Sequence, residues 1–370
     1  MIKLLIVDDS ALMRRQLASV FEEAGDFEIL LARNGLDAVE QNRQFKPDVV
    51  TLDINMPEMD GITALSLIMA ERPVPVIMVS SLTEKGALAT FESMNLGAVD
   101  YVAKPGGTIS LTLDQVRDEL LTKVRAAARA KVPASRSSQS VAPAPAERQA
   151  KPGLRQRMQE EREALMRASN VAKPVGEGLV IIGVSTGGPR ALEKMLPLLP
   201  AHFPWPVLIS QHMPGTFTAP FAARLNGLCP LEVVEASKPM TVEKGKVYIG
   251  KGGADMVLAR RAGVLTVLPR PENGQFLWHP SVELMARTAL EHVPAQQIVG
   301  VMLTGMGNDG ADGFTAIKNA GGRTIAESEE TAVVFGMPAV LIQRGGATVV
   351  RPLDEVAAQL NEWAQCGAKE

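Results

Sequence analysis

Two cysteines in 370 residues, Cys229 and Cys366, leave no disulfide framework and no cysteine metal site to read. Basic charge is not in excess: 38 Lys and Arg stand against 41 Asp and Glu, a net charge of −3. With a pI near 6.0, that balance argues against a nucleic-acid binder, which carries a basic face. No segment approaches the roughly 20 consecutive apolar residues of a membrane helix. The opening run, Met1 to Val7, is closed by Asp8 and Asp9, unlike a secretory leader. The expectation is a cytoplasmic chain that binds no nucleic acid and does not insert into a membrane. Aromatics are only 4%, so packing must rest on aliphatic side chains and Met, which 46% apolar content supplies.

What is present divides into two α/β units. Short apolar runs at Lys3–Val7, Glu28–Ala32, Val49–Leu52, Val76–Val79 and Tyr101–Ala103 alternate with helix-like stretches, the first being Ala11–Ala24. That rhythm predicts a doubly wound, five-stranded parallel sheet over residues 1–122. Residues 123–176 read as a flexible linker: Lys131–Pro152 is rich in Pro, Ala, Ser and Gln, and Leu154–Ser169 is a charged, helical insert. From residue 177 to 370 the strand–helix rhythm resumes, with strands at Leu179–Val184, Val207–Gln211 and Gln297–Leu303. Between them, Lys246–Ile249, Met256–Ala259 and Val264–Leu268 read as hairpins, so the second unit is mainly parallel with an antiparallel excursion.

In a doubly wound sheet, functional residues gather beyond the carboxyl ends of the strands. Asp8 and Asp9 end the first strand of the N-terminal unit, Asp53 the third, Ser80 the fourth and Lys104 the fifth. Three carboxylates on one rim repel each other unless a hard cation joins them, and Mg²⁺ suits such oxygen ligands. A carboxylate held there can become an aspartyl-phosphate, with Lys104 neutralising the phosphoryl charge. An Asp after a strand is often only a helix cap, and Asp9 followed by Ser10 could be that. Capping does not require a lysine before a proline on the last strand.

The segments IVDDS (Ile6–Ser10), TLDINMPEMDG (Thr51–Gly61), VSS (Val79–Ser81) and YVAKP (Tyr101–Pro105) resemble the response-regulator receiver family. The resemblance implies a flavodoxin-like domain in which Asp53 takes phosphate from a histidine kinase. It also implies that Asp8, Asp9, Asp53 and the Asn55 carbonyl bind Mg²⁺, and that Ser80, Lys104 and Tyr101 form the switch. Tyr101 could alternatively be a half-buried packing residue.

In the second unit, Leu179–Val184 runs into Gly183-Val184-Ser185-Thr186-Gly187-Gly188-Pro189 and a helix-like segment. This fits the sharp strand-to-helix turn that lifts a serine nucleophile above a sheet, with Pro189 suited to the first helical turn. A helix cap or a phosphate loop would also use such residues, but the glycine spacing is not G-x-G-x-x-G and no Walker lysine follows. Of four histidines, His202, His279 and His292 lie in a proline-flanked loop, before PSVE, and near a helix end. His212 follows the strand VLISQ, at the same sheet edge as Ser185. The glycine-rich loop after Gln297–Leu303 brings Asp309, with Asp312 as competitor. Ser185, His212 and Asp309 supply nucleophile, base and orienting carboxylate, in an order unlike the Ser…Asp…His of α/β-hydrolases.

GVSTGGP (Gly183–Pro189), QHMP (Gln211–Pro214), PSVE (Pro280–Glu283), MLTGMGNDGADG (Met302–Gly313) and VVFGMPAV (Val333–Val340) resemble the catalytic domain of the chemotaxis protein-glutamate methylesterase (CheB) family. The resemblance implies hydrolysis of γ-glutamyl methyl esters on chemoreceptor helices, glutamine deamidation, and no cofactor for the hydrolysis. It assigns Ser185, His212 and Asp309 to the triad, with Thr186 and the Met306 backbone supporting the oxyanion. The chain departs from the family at His279, where arginine is common, at Glu283, where Asp is common, and at Gly250–Gly253. The alternatives are a response regulator with a non-catalytic protein-binding output domain, a DNA-binding regulator, and a small-ester hydrolase.

Overall fold

Each of the five early apolar runs is a strand in the computed structural model, which describes residues 1–80, 83–104, 109–130, 178–272 and 274–366. Strands β1 (Ile2–Val7), β2 (Phe27–Ala32), β3 (Val49–Asp53), β4 (Val76–Ser80) and β5 (Asp100–Ala103) form one parallel sheet in the order β2-β1-β3-β4-β5. Helices α1 (Ala11–Ala24), α2 (Gly35–Phe45), α3 (Gly61–Glu71), α4 (Glu84–Leu96) and α5 (Ile109–Ala127) alternate with them. Capping starts these helices where the chain leaves each strand: Ser10, Asn34, Asp60 and Thr83 side chains accept N–H groups of Met13, Asp37, Thr63 and Gly86. The order of strand addition reverses between β1 and β3, which is where such folds open a crevice. Gly61 is required there: a Cβ would lie 1.9 Å from the Asp53 carbonyl oxygen, so α3 can start close over the end of β3 only without a side chain.

The second unit holds a seven-stranded, all-parallel sheet. It comprises β6 (Leu179–Val184), β7 (Val207–Gln211), β8 (Glu232–Ala236), β10 (Lys246–Gly250), β13 (Ile298–Met302), β14 (Arg323–Glu327) and β15 (Val349–Arg351). Their order is β15-β14-β13-β6-β7-β10-β8. All six residues of β6 are buried, as expected of a central strand covered on both faces. Strands β9 (Met240–Thr241), β11 (Ala254–Arg261) and β12 (Val264–Pro271) form a separate antiparallel sheet. The hairpin expectation therefore needs one correction. Lys246–Ile249 pairs in parallel with both β7 and β8, and only β11 and β12 form a hairpin. The glycines after Ile249 mark the exit from the main sheet, not a hairpin turn.

Among the described residues, six helices accompany this sheet: α6 (Gly188–Met195), α7 (Gly215–Leu228), α8 (Val282–His292), α9 (Ala311–Asn319), α10 (Met337–Gln343) and α11 (Leu353–Cys366). The two units share an apolar core. Phe91 of α4 packs on Phe217 and Phe221 of α7, ring centroids 6.2 and 5.2 Å apart, and Tyr101 of β5 stacks on Phe217 at 4.7 Å. The division expected between residues 122 and 123 falls inside α5, because Leu120, Leu121, Val124 and Ala127 continue one buried helical stripe. Lys131–Pro152 and Leu154–Ser169 lie outside the described residues. Among the described residues, no helix is long and apolar enough to cross a membrane.

Candidate active site and acidic pocket

The crevice beside β1 and β3 gathers the expected acidic cluster. One carboxylate oxygen each from Asp8, Asp9 and Asp53 lies within 4.8 Å of the others, Asp8 and Asp53 being buried and Asp9 exposed. Lys104 places its ammonium 2.9 Å from Asp8 Oδ2 and 2.7 Å from Asp53 Oδ2. Its backbone N–H donates to the Ser80 carbonyl, which fixes the end of β5 beside β4. Burial pushes the Asp53 carboxyl above its ordinary range, although Lys104 pulls the other way. Burial also works against the Lys104 ammonium, but Asp53 and Asp8 together raise its pKa. Three all-oxygen side chains against one cation leave excess negative charge, and the donor set fits a hard divalent ion. The exposed Asn55, whose N–H donates to Asp53 Oδ1 at 3.3 Å, stands at the same rim.

Of the residues expected to form the switch, Ser80 is buried and its hydroxyl reaches the Gly86 carbonyl at 3.2 Å. Tyr101 is 2% exposed and seated against Phe217 of the other unit, and burial raises its phenol well above the ordinary value. The Tyr101 ring is thus fully buried between the two units rather than half-buried.

At the second sheet, Val184 ends β6 and the chain turns sharply at Ser185. Several bonds hold that turn: Ser185 N–H donates to the Thr304 carbonyl at 3.0 Å and Gly188 N–H to the Ser185 carbonyl at 2.8 Å. Gln211 Nε2 donates to the Ser185 carbonyl at 3.0 Å and to the His212 carbonyl at 3.1 Å. Gly187 has φ +79°, and a Cβ there would also meet Val333. Thr186 is buried, and its hydroxyl donates 2.7 Å to Asp100 Oδ2 of the first unit.

His212 leaves β7 beside that turn. Its Nε2 lies 2.9 Å from Asp309 Oδ2. Asp309, 6% exposed, also accepts N–H groups of Val282 and Glu283 at 2.7 and 3.0 Å and the Ser281 hydroxyl at 3.1 Å. Burial disfavours its charge, yet the imidazole and the two amides outweigh that and hold the carboxyl below its ordinary value. The other histidine nitrogen, Nδ1, is buried without a hydrogen bond, so the Ser185 hydroxyl is not bonded to it in this state. Ser185, Thr186, His212 and Met306 line one cavity of about 640 Å³, walled on its far side by Asp118, Glu119, Thr122 and Lys123 of α5. Asp312 is on the outside, paired with Arg344. His202 is exposed and His292 ends α8, so neither competes with His212.

Sequence reading missed the supports. Glu327 is fully buried and accepts the Thr304 N–H at 2.7 Å, anchoring the loop that carries Met306. Asp255 holds His279 and the Ser281 N–H. These pairs are 23 to 26 residues apart and leave no spacing signal.

The CheB methylesterase family profile matches residues 180–360, and the response regulator receiver domain profile matches residues 4–113. A protein-glutamate methylesterase/protein-glutamine glutaminase 3 of Rhodospirillum rubrum is 51% identical over 98% of this chain and 96% of its own. The corresponding protein 2 of Rhodopseudomonas palustris is 51% identical over 100% of both. The crystal structure of the Thermotoga maritima CheB methylesterase catalytic domain is 38% identical, covers 51% of this chain and 99% of that chain, and superposes with TM-score 0.49. At such identity over nearly the whole length, the chain belongs to the CheB family of protein-glutamate methylesterases that carry a response-regulator receiver domain.

Proposed function

We propose that this chain is a phosphorylation-activated methylesterase that hydrolyses glutamate γ-methyl esters on chemoreceptor cytoplasmic helices and deamidates receptor glutamines, working in the cytoplasm. The single observation that carries the chemistry is the 2.9 Å His212–Asp309 pair, which leaves Nδ1 buried and without a hydrogen bond on a residue that lines the same cleft as Ser185.

A carboxylate is an acceptor only, so the proton between Asp309 and His212 sits on Nε2 and Nδ1 carries the lone pair. Nδ1 takes the Ser185 hydroxyl proton as the oxygen attacks the ester carbonyl, and Asp309 stabilises the imidazolium that forms. The proton then passes to the departing methanol, or to ammonia from glutamine. Water, deprotonated by the same nitrogen, releases the glutamate. Thr186 and the Met306 backbone N–H are the supports for the developing oxyanion. The Ser185–His212 bond closes as substrate enters, as such bonds often do only in the complex.

The receiver unit, extending through α5, is the gate. It covers the cleft with α5 and grips Thr186 through Asp100. A histidine kinase is the phosphodonor and Asp53 the acceptor. Asp8, Asp9, Asp53 and the Asn55 carbonyl would hold Mg²⁺, which supplies charge neutralisation for the incoming phosphoryl group. Phosphorylation shifts the population toward an undocked state in which the cleft is open.

A fluorophosphonate probe tests the chemistry against the alternative of a non-catalytic output domain. Labelling confined to Ser185, lost in His212→Ala, is the expected result. An unlabelled wild-type protein that still binds receptor would reject the hydrolase.

A further inference from the structure

The cleft contains a second imidazole–carboxylate pair that the mechanism does not use. His279 Nδ1 lies 2.9 Å from Asp255 Oδ1, and the same oxygen accepts the Ser281 N–H at 2.8 Å. Asp255 is 1% exposed. Because the carboxylate only accepts, the proton of this pair sits on Nδ1. Nε2 has no protein partner among the described residues. The His279 side chain keeps 14% of its surface exposed and lines the cavity that holds Ser185 and His212. The ring is thus anchored on its inner edge and open toward substrate.

Its position relative to the chemistry is fixed by short links. Ser281 ties the two carboxylates together, giving its N–H to Asp255 and its hydroxyl to Asp309. Trp278, next in the chain, stacks on the His212 ring at 5.7 Å with an interplanar angle of 5°. Asp255 is a carboxylate taken out of water, and its Oδ1 is committed to the His279 imidazole and the Ser281 N–H. What the carboxylate secures is the orientation and tautomer of the imidazole.

We infer that His279 is a specificity-determining residue whose Nε2 hydrogen-bonds a polar side chain of the receptor segment beside the target residue. This rests on the hydrolase reading above and names the group that recognises the protein part of its substrate. A small ester lacks that neighbouring side chain and makes no use of the contact.

Two substitutions separate recognition from anchoring. In His279→Asn the amide reaches the Nδ1 position, keeping the Asp255 contact and losing the cleft nitrogen. In His279→Gln the amide reaches the Nε2 position. Both are compared with wild type as full-length, acetyl-phosphate-treated protein, on methylated receptor membranes and on N-acetylglutamate γ-methyl ester. For His279→Asn the expected result is a KM for receptor raised about tenfold, the scale of one lost hydrogen bond. Its kcat and its small-ester turnover stay at the wild-type level, and His279→Gln recovers part of the KM. A wild-type KM in His279→Asn, or an equal loss on both substrates, would overturn the inference alone. A wild-type protein that hydrolyses the small ester but never the receptor would overturn the receptor reading with it.

Discussion

Thr186, the residue after the proposed nucleophile, donates a hydroxyl hydrogen bond to Asp100 of the receiver at 2.7 Å, with both side chains buried. Asp100 sits beside Tyr101, whose ring stacks on Phe217, and 3.5 Å from Lys123. Strand β5 therefore touches the turn at Ser185 directly, and the receiver unit both bonds that turn and walls the cleft beside it.

Asp100→Ala removes that grip while leaving Ser185, His212 and Asp309 in place, although it also releases the Thr186 hydroxyl and the Lys123 ammonium from Asp100 at the cleft wall. A hydrogen bond to a charged acceptor is worth about 1.5–3 kcal/mol, enough to shift a docking equilibrium roughly tenfold or more. Basal hydrolysis without phosphodonor should rise severalfold, and stimulation should shrink correspondingly. Unchanged basal turnover would mean that the Thr186 contact carries no part of the inhibition.

Asp309 serves both the chemistry and the fold, since its four contacts join His212 to the start of α8. Asp309→Asn should lower kcat by roughly 10³–10⁴, the scale seen when a triad carboxylate is neutralised. Asp309→Ala strands buried donors and should cost about 3–5 kcal/mol of stability. The folded carboxyl is held below its ordinary value, so its contribution is full above about pH 4 and fades as pH falls further. Urea titrations of wild type and Asp309→Ala from pH 7 to pH 3 should show the stability gap closing at the acid end. A gap of constant size would contradict this.

Glu327 runs the opposite way. Burial raises its carboxyl pKa over the pull of the Thr304 amide, the Thr331 hydroxyl and Lys194. Its charge therefore costs stability as pH rises through the raised value, and the protein is relieved of that cost below about pH 4. Glu327→Gln keeps an acceptor for the Thr304 N–H and should be at least as stable as wild type at pH 7, with the difference vanishing at pH 4. A variant less stable at pH 7 would show that the ionised form is what the loop requires.

The buried parallel strands were readable because both of their faces are covered, which gives unbroken apolar runs: Leu179–Val184 and Val207–Gln211 match their expected bounds. Glu232–Ala236 and Val349–Arg351 were not, since they stand at the sheet's edges with mixed polar faces and give no continuous apolar run. Arg323–Glu327 hid for a related reason, being short and bounded by charges. The acidic pocket was legible because each member ends a strand. His212 was legible for the same reason, and Asp309 from its place in the glycine-rich loop beyond β13. Nothing local marks Asp255 as the partner of His279, or Phe91, Phe217 and Phe221 as an interface. An amphipathic helix declares that it packs, and does not say on what.

Methanol release from methylated receptor membranes, with and without acetyl phosphate, tests the phosphorylation-gated esterase most directly. Wild type should release methanol slowly alone and markedly faster with phosphodonor. Asp53→Asn should keep the slow rate and lose the stimulation, and Ser185→Ala should release none. Stimulation that survives in Asp53→Asn, or methanol released at the wild-type rate by Ser185→Ala, would contradict it.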